Sequence, residues 1–260
     1  MPLSDISRTI SHRHNLRDYG GLPTRSGGRI VSGRLYRSGE LDHCERADAD
    51  LLDRLAIGTI IDLRSPSEWP QGLPLALERY RGRVLRAQAD GGAIPHSIGR
   101  FAGMQGREDV AAAMKATYLD LPFTPRFLEA MRLFFTGLAE EPAGSLIHCF
   151  AGKDRTGLAV ALFHRLVDVH PDDMMEDYLR TNDMGEERIA LATSGITGRL
   201  ESPLAEDLLR EVLEVRPDYL LCAMERIDTR HGGVRAYLAE AAGTDPATLD
   251  RVIAHYVREG

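Results

Sequence analysis

The run Ser145-Leu146-Ile147-His148-Cys149-Phe150-Ala151-Gly152-Lys153-Asp154-Arg155-Thr156-Gly157 decides how this chain is built. Its first four residues are short, apolar and follow the turn Glu141-Pro142-Ala143-Gly144, which predicts a buried strand. The apolar stretch from Thr156 to Val169 predicts a helix. Between them lies a seven-residue loop, Cys149 to Arg155. Strand, short loop and helix in succession are the unit from which parallel sheets are assembled.

Upstream, Asp48 to Ile57 is expected to be a helix with Leu51, Leu52 and Leu55 on one face. Thr59 to Leu63 follows as a β-branched, apolar strand, and Val84 to Ala87 as a weaker one. Leu35-Tyr36 is a short apolar piece in a glycine-rich N-terminal part. Glu108 to Leu119 is Ala-rich and reads as a helix. Thr124-Pro125 is a cap with proline at the first helical position. Phe127, Met131, Phe134, Phe135 and Leu138 then recur at helical spacing, a stripe suited to core packing. Beyond residue 171 the pattern is almost wholly helical, with Ser202-Pro203 and Asp245-Pro246 as further helix starts. The fold class is therefore α/β: a mainly parallel central sheet flanked by helices, with a helical C-terminal half. One domain over residues 1–260 is expected, with 172–215 as a helical insertion or lid.

Composition narrows the function. The chain has 260 residues, 43% of them hydrophobic, and a net charge of −7, which argues against a nucleic-acid partner. Residues 1–37 carry seven Arg against two Asp, +5, leaving −12 on the other 223 residues. A basic segment on an acidic body suits a small anionic ligand met at one place, or simply a solvated arm. Three cysteines make no disulfide framework, so reduced thiols and a cytoplasmic location are expected. No signal peptide is readable, which leaves open export by another route, and no apolar run reaches the ~18 residues of a membrane span.

The loop carries the chemistry. A helix N-terminus offers N–H groups and a positive dipole end, and a tight turn with inward N–H groups makes a nest for a tetrahedral oxyanion. Arg155 can grip two phosphate oxygens. Cys149 at the mouth of such a nest is expected to have its thiol pKa lowered from ~8.5 to roughly 3.5–7.5, giving a thiolate nucleophile. A Walker A loop fails, because Lys153 is followed by Asp154 and Ile147 stands where its first glycine belongs. Cys44 and Cys222 read as structural. Two alternatives stay open: a non-catalytic phosphate-binding module, and a thiol enzyme of the sulfurtransferase or arsenate-reducing kind.

From His148 to Gly157 the chain resembles the phosphate loop of cysteine-dependent protein tyrosine phosphatases, with Cys and Arg separated by five residues. The fuller HCFAGKDRTG pattern is similar to bacterial members that also act on phosphoinositides. Asn15 to Gly21, Leu35 to Gly39, Ile61 to Arg64, Tyr178 to Asn182 and Gly232 to Leu238 resemble that family's other blocks, in order. The resemblance implies a cysteine-phosphatase fold and hydrolysis of phosphotyrosine, with phosphoserine, phosphothreonine and phosphoinositides as further substrates. It implies Cys149 as nucleophile, Arg155 as phosphate clamp, and the N–H groups of Phe150, Ala151, Gly152, Lys153, Asp154 and Arg155 as cradle. Thr156 would hydrogen-bond the Cys149 sulfur, and His148 would orient the loop from behind. No cofactor or metal is implied.

The Trp-Pro-Asp acid of many tyrosine phosphatases is missing, since Trp69-Pro70 is followed by Gln71. The resemblance instead favours Asp154, within the loop, as general acid, with Asp90 as rival. Asp62 and Arg64 end a predicted central strand, where open sheets place ligands. Asp62 is expected either to pair with Lys153 and hold it over the pocket or to form an ordinary solvated pair. Lys153 is one of two lysines among 32 basic residues, and its compact ammonium could meet a second anionic group on an inositol headgroup. Arg17 and Arg37 are candidates for an N-terminal wall or for structural roles.

Overall fold

The computed structural model describes residues 14–42, 44, 50–91, 101, 104, 106–140, 143–183 and 206–259. Its strands are β1 (Arg17–Asp18), β2 (Gly28–Ile30), β3 (Leu35–Ser38), β4 (Ile57–Asp62), β5 (Arg83–Arg86), β6 (Gly144–His148) and β7 (Val257–Glu259). The helices are α1 (Leu51–Arg54), α2 (Arg107–Asp120), α3 (Pro125–Glu140), α4 (Asp154–Leu166) and α5 (Pro171–Leu179). They continue with α6 (Glu206–Leu213), α7 (Pro217–His231), α8 (Val234–Glu240) and α9 (Pro246–Tyr256).

The main sheet has the order β1-β3-β6-β4-β5. All its pairings are parallel except β1 with β3. Strand β6 is central because all five of its residues are buried, Leu146 and Ile147 completely. Alternate residues of a strand face opposite sides. Leu35, Ile61 and Ile147 accordingly enter the main core, and Tyr36, Ile60 and Leu146 a smaller one. Helices α2 to α9 supply the main core; α1 and the turn Leu75–Leu77 cover the smaller. The aromatic stripe of α3 packs into the main core as expected, with Phe134, Phe135 and Leu138 fully buried.

Three differences from the sequence expectations have local causes. Helix α1 spans only Leu51–Arg54, while residues 48–49 of the expected helix, and Ser202-Pro203, lie outside the described residues. Helix α4 begins at Asp154, two residues before its apolar pattern does, because its first turn is made of polar residues bound from outside the helix. The C-terminal β7 pairs antiparallel with β2 and ties the end of α9 to the N-terminal segment. Of the expected insertion at 172–215, α5, the turn Arg180–Asp183 and α6 are described. Among the described residues no helix is long and apolar enough to cross a membrane.

Register sets up the site. Ser38 and Asp62 both lie opposite His148, and Arg86 lies opposite Asp62, so four strands end level with one another. The chain leaving β3 and β4 there meets the loop that follows β6.

Candidate active site

The chain leaves β6 at His148, passes fully buried Cys149 and reaches α4 at Asp154. Phe150 and Ala151, at the turn's outer edge, are partly exposed. The carbonyls show which way the loop faces. Phe150 O accepts from the Glu40 N–H at 2.9 Å. Gly152 O accepts from Asn15 Nδ2 at 2.9 Å and from Arg37 at 3.1 Å. In a trans peptide the N–H points opposite the C=O. The N–H groups of Ala151 and Lys153 therefore point away from the N-terminal segment, to the other side of the loop. Gly152 makes the turn possible: its φ is +68°, and a Cβ there would stand 2.5 Å from the Ser38 carbonyl.

Arg155 is held from β4's side. Its two terminal nitrogens donate to the two oxygens of Glu68, each at 2.7 Å, and one also reaches Leu63 O at 3.1 Å. Glu68 is itself fixed by a capping box, accepting from both the N–H and the hydroxyl of Ser65 at 2.9 Å. Burial works against the Arg155 charge, but the Glu68 carboxylate outweighs it and keeps the guanidinium protonated.

Asp154 lies on the other flank. Its Oδ1 accepts from Lys153 Nζ and from the Tyr118 hydroxyl, both at 2.9 Å. Lys153 is 1% exposed and also donates to Glu214 O, between α6 and α7, at 3.3 Å. The expected pairing of Lys153 with Asp62 is absent. Asp62 instead accepts from the Arg64 backbone and guanidinium, and from Arg86 at 3.1 Å. At 1% exposure it is not the ordinary solvated pair either. Burial raises its pKa, yet the neighbouring His148 and Arg64 hold it well below the usual carboxylate range. Burial also lowers the His148 pKa, against the pull of the Asp62 charge.

Behind the loop Arg17 and Arg37 converge on Asp177 of α5. Arg17 Nε reaches Asp177 Oδ1 at 3.0 Å and Arg37 reaches Oδ2 at 2.7 Å. Arg17 also donates to Asn15, whose amide holds Gly152 O. Both arginines are buried, Arg37 completely, so their place is structural rather than on a wall open to solvent.

Comparison with known proteins now bears on this arrangement. The profile of a tyrosine phosphatase family matches residues 9–258, almost the whole chain. The chain belongs to the tyrosine phosphatase family. A Cupriavidus necator protein, "Putative tyrosine-protein phosphatase", is 30% identical over 96% of this chain and 92% of its own length. The "Triple specificity protein phosphatase PtpB" of Mycobacterium tuberculosis is 33% identical over 94% of this chain and 97% of its own. This tyrosine phosphatase is thus a phosphate-monoester hydrolase rather than a binding module or a sulfurtransferase.

In this tyrosine phosphatase Cys149, Phe150, Ala151, Gly152, Lys153, Asp154 and Arg155 share one loop and helix start. Asp62 stands apart in its own arginine cluster. Asp90 is exposed beyond the edge strand β5, whose exit is pinned by Gln88 and Ala89 N–H groups on Glu129. Thr156 is fully buried, and its hydroxyl has no hydrogen-bond partner among the described residues, so the expected bond to Cys149 is not formed. Sequence reasoning missed Glu68, although Ser65-Pro66-Ser67-Glu68 carries the spacing of a capping box. It also missed Tyr118 of α2, which bonds Asp154, and Asp177 of α5, which holds Arg17 and Arg37 behind the loop.

Proposed function

We propose that this tyrosine phosphatase hydrolyses phosphotyrosine through a phosphocysteine on Cys149. One observation carries the reading: a cysteine at the end of a central strand faces a turn whose carbonyls are drawn backward, beside an arginine that Glu68 fixes. The Cys149 thiolate attacks phosphorus, the S–P bond forms and the P–O ester bond breaks. The departing oxygen takes a proton from Asp154. Water then attacks phosphorus while Asp154 recovers the proton, the S–P bond breaks and inorganic phosphate leaves. Arg155 and the loop N–H groups hold the phosphoryl oxygens throughout. Asp154 suits the acid's role better than Asp90 because it lies in the helix turn that also carries Arg155.

The triple specificity in the name of the mycobacterial relative supports a range wider than phosphotyrosine, with phosphoserine, phosphothreonine and phosphoinositides as the further substrates expected from the sequence. Lys153 as placed does not favour the last of these, since its ammonium is buried on Asp154 and the Glu214 carbonyl.

Replacing Cys149 tests the mechanism. Cys149→Ser should lower release of phosphate from p-nitrophenyl phosphate in EDTA by more than ~1,000-fold, with inorganic phosphate still bound, because the cradle is intact. Acid quenching of wild type with labelled substrate should trap a phosphoenzyme that the variant lacks. Activity within ~10-fold of wild type would overturn the reading.

A further inference from the structure

The acid's surroundings contain a feature that the mechanism above does not use. Tyr118 of α2 is fully buried, and its ring lies between Tyr178 of α5 and Tyr219 of α7, with centroids 6.5 and 5.6 Å away. Tyr178 donates its hydroxyl hydrogen to Tyr118 at 2.8 Å, and Tyr118 donates to Asp154 Oδ1 at 2.9 Å. The polarity of the chain is fixed by valence: each phenol has one hydrogen, and a carboxylate oxygen only accepts. The Tyr178 ring also sets the loop's neighbour. A Cβ on Gly157 would stand 2.9 Å from that ring, so the glycine lets Tyr178 lie against the first turn of α4.

We infer that Tyr118, backed by Tyr178, is a positioning residue that orients Asp154 for proton transfer. The inference rests on the reading of Asp154 as general acid. With Oδ1 already accepting from Tyr118 and Lys153, the proton that Asp154 delivers resides on Oδ2. Lys153 alone would leave the carboxylate free to turn about χ2, a soft torsion. A second donor, approaching from a different helix, fixes that angle.

Among the groups facing Asp154 are Lys153 on its own turn, Arg155 in the loop, Tyr118 from α2 and Tyr178 from α5. Behind them stand Glu68, on Arg155, and Arg37, near Tyr178. Burial, reinforced by the Asp154 charge, pushes both phenols well above their ordinary value, so their hydrogens stay in place across the working range. The alkaline limb of activity belongs to Asp154. Both donors favour its ionised form, so removing one raises its pKa.

Tyr118→Phe keeps the ring and removes the hydroxyl. The expected result is a kcat/KM loss at least ~10-fold greater for an alkyl phosphate than for p-nitrophenyl phosphate, whose leaving group needs little protonation. The alkaline limb should move up by ~0.5–1 pH unit. Tyr178→Phe should move it the same way by less, since Tyr118 donates more strongly when it also accepts. This second variant decides the matter if the first fails to fold. Equal losses on both substrates with an unmoved limb would overturn the inference and leave the tyrosines as packing. Asp154→Asn is run alongside: if it shows no leaving-group dependence, the acid assignment itself falls, and the inference with it.

Discussion

The loop hangs on a buried aspartate on each side, and the two are partnered differently. Asp177, behind it, is shared by two guanidiniums that together occupy both its oxygens. Asp154, in its front flank, receives a phenol and an ammonium on one oxygen. Two delocalised cations fix a carboxylate in its ionised form, and the Asp177 pKa is held well below the ordinary range by Arg17 and Arg37 although burial opposes this. A carboxylate that must gain and lose a proton in each cycle cannot be surrounded in that way. Asp62, with Arg64 and Arg86, belongs with Asp177. Rigid charge pairing braces the turn, and weaker donors stand where chemistry is done.

The sharpest way to break this contrast is Asp177→Asn, which leaves Arg17 and Arg37 buried without their counter-charge. A loss of about 3–5 kcal/mol in unfolding free energy is expected, measured by urea denaturation at pH 7. Asp154→Asn should lose less stability, since one ammonium rather than two guanidiniums is left without its counter-charge, and much more activity. The pH dependence follows from the same pairing. A group with a lowered folded pKa stabilises above its unfolded value and loses that stability as pH falls through the folded one. His148 and His164, both lowered by burial, give the first decline, below an unfolded value of ~6.5. Asp62 and Asp177 give the second, below an unfolded value of ~3.9. In Asp177→Asn the second decline should be shallower; an unchanged acid limb would show that Asp177 is not held as described.

Glu68→Gln probes the front support. Arg155 would keep a neutral partner of the same shape but lose both the charge and one of the two acceptor oxygens that fix it, since an amide nitrogen only donates. A fall of ~10–100-fold in kcat/KM, with stability lowered by less than in Asp177→Asn, is expected from a weakened charge-assisted pair. Steady-state kinetics beside thermal unfolding would read both. Equal kinetics to wild type would mean that the loop alone orients Arg155.

The smallest effect is expected at Thr156. Its hydroxyl is buried without a hydrogen-bond partner among the described residues, so Thr156→Val should change stability by less than ~1 kcal/mol. Breakdown of the phosphoenzyme, followed after a rapid quench, should stay within ~3-fold of wild type. A larger slowing would show that the hydroxyl turns to the Cys149 sulfur during turnover.

What the sequence showed and what it hid divide along range. Strand β6, its loop and α4 are contiguous, so apolar pattern and motif reveal them together. Asp245-Pro246 likewise announces α9, with the Asp245 side chain accepting from Ala247 N–H. The partners of the site's charges are different. Asp62 takes Arg64, two residues on, because a strand end lets the guanidinium fold back, and no spacing rule selects this over Lys153. Tyr118 reaches Asp154 across 36 positions, and Asp177 reaches Arg17 across 160. Tyrosines 118, 178 and 219 each look like core residues in their own helices, and only packing brings their hydroxyls and rings together. The β2–β7 ribbon escaped notice because three residues after a helix carry too little alternation to read.

The span from Arg17 to Asp177 also imposes an order on the birth of the protein. The segment that grips Gly152 is synthesised before the loop it grips, whereas the carboxylate that neutralises its arginines comes 160 residues after Arg17. At ~5–20 residues per second, the ribosome needs roughly 8–32 s to make that stretch. Until it ends, Arg17 and then Arg37 are in the chain with no Asp177 to receive them. The brace behind the nucleophile therefore closes only after β3, β4 and β6 have all been made.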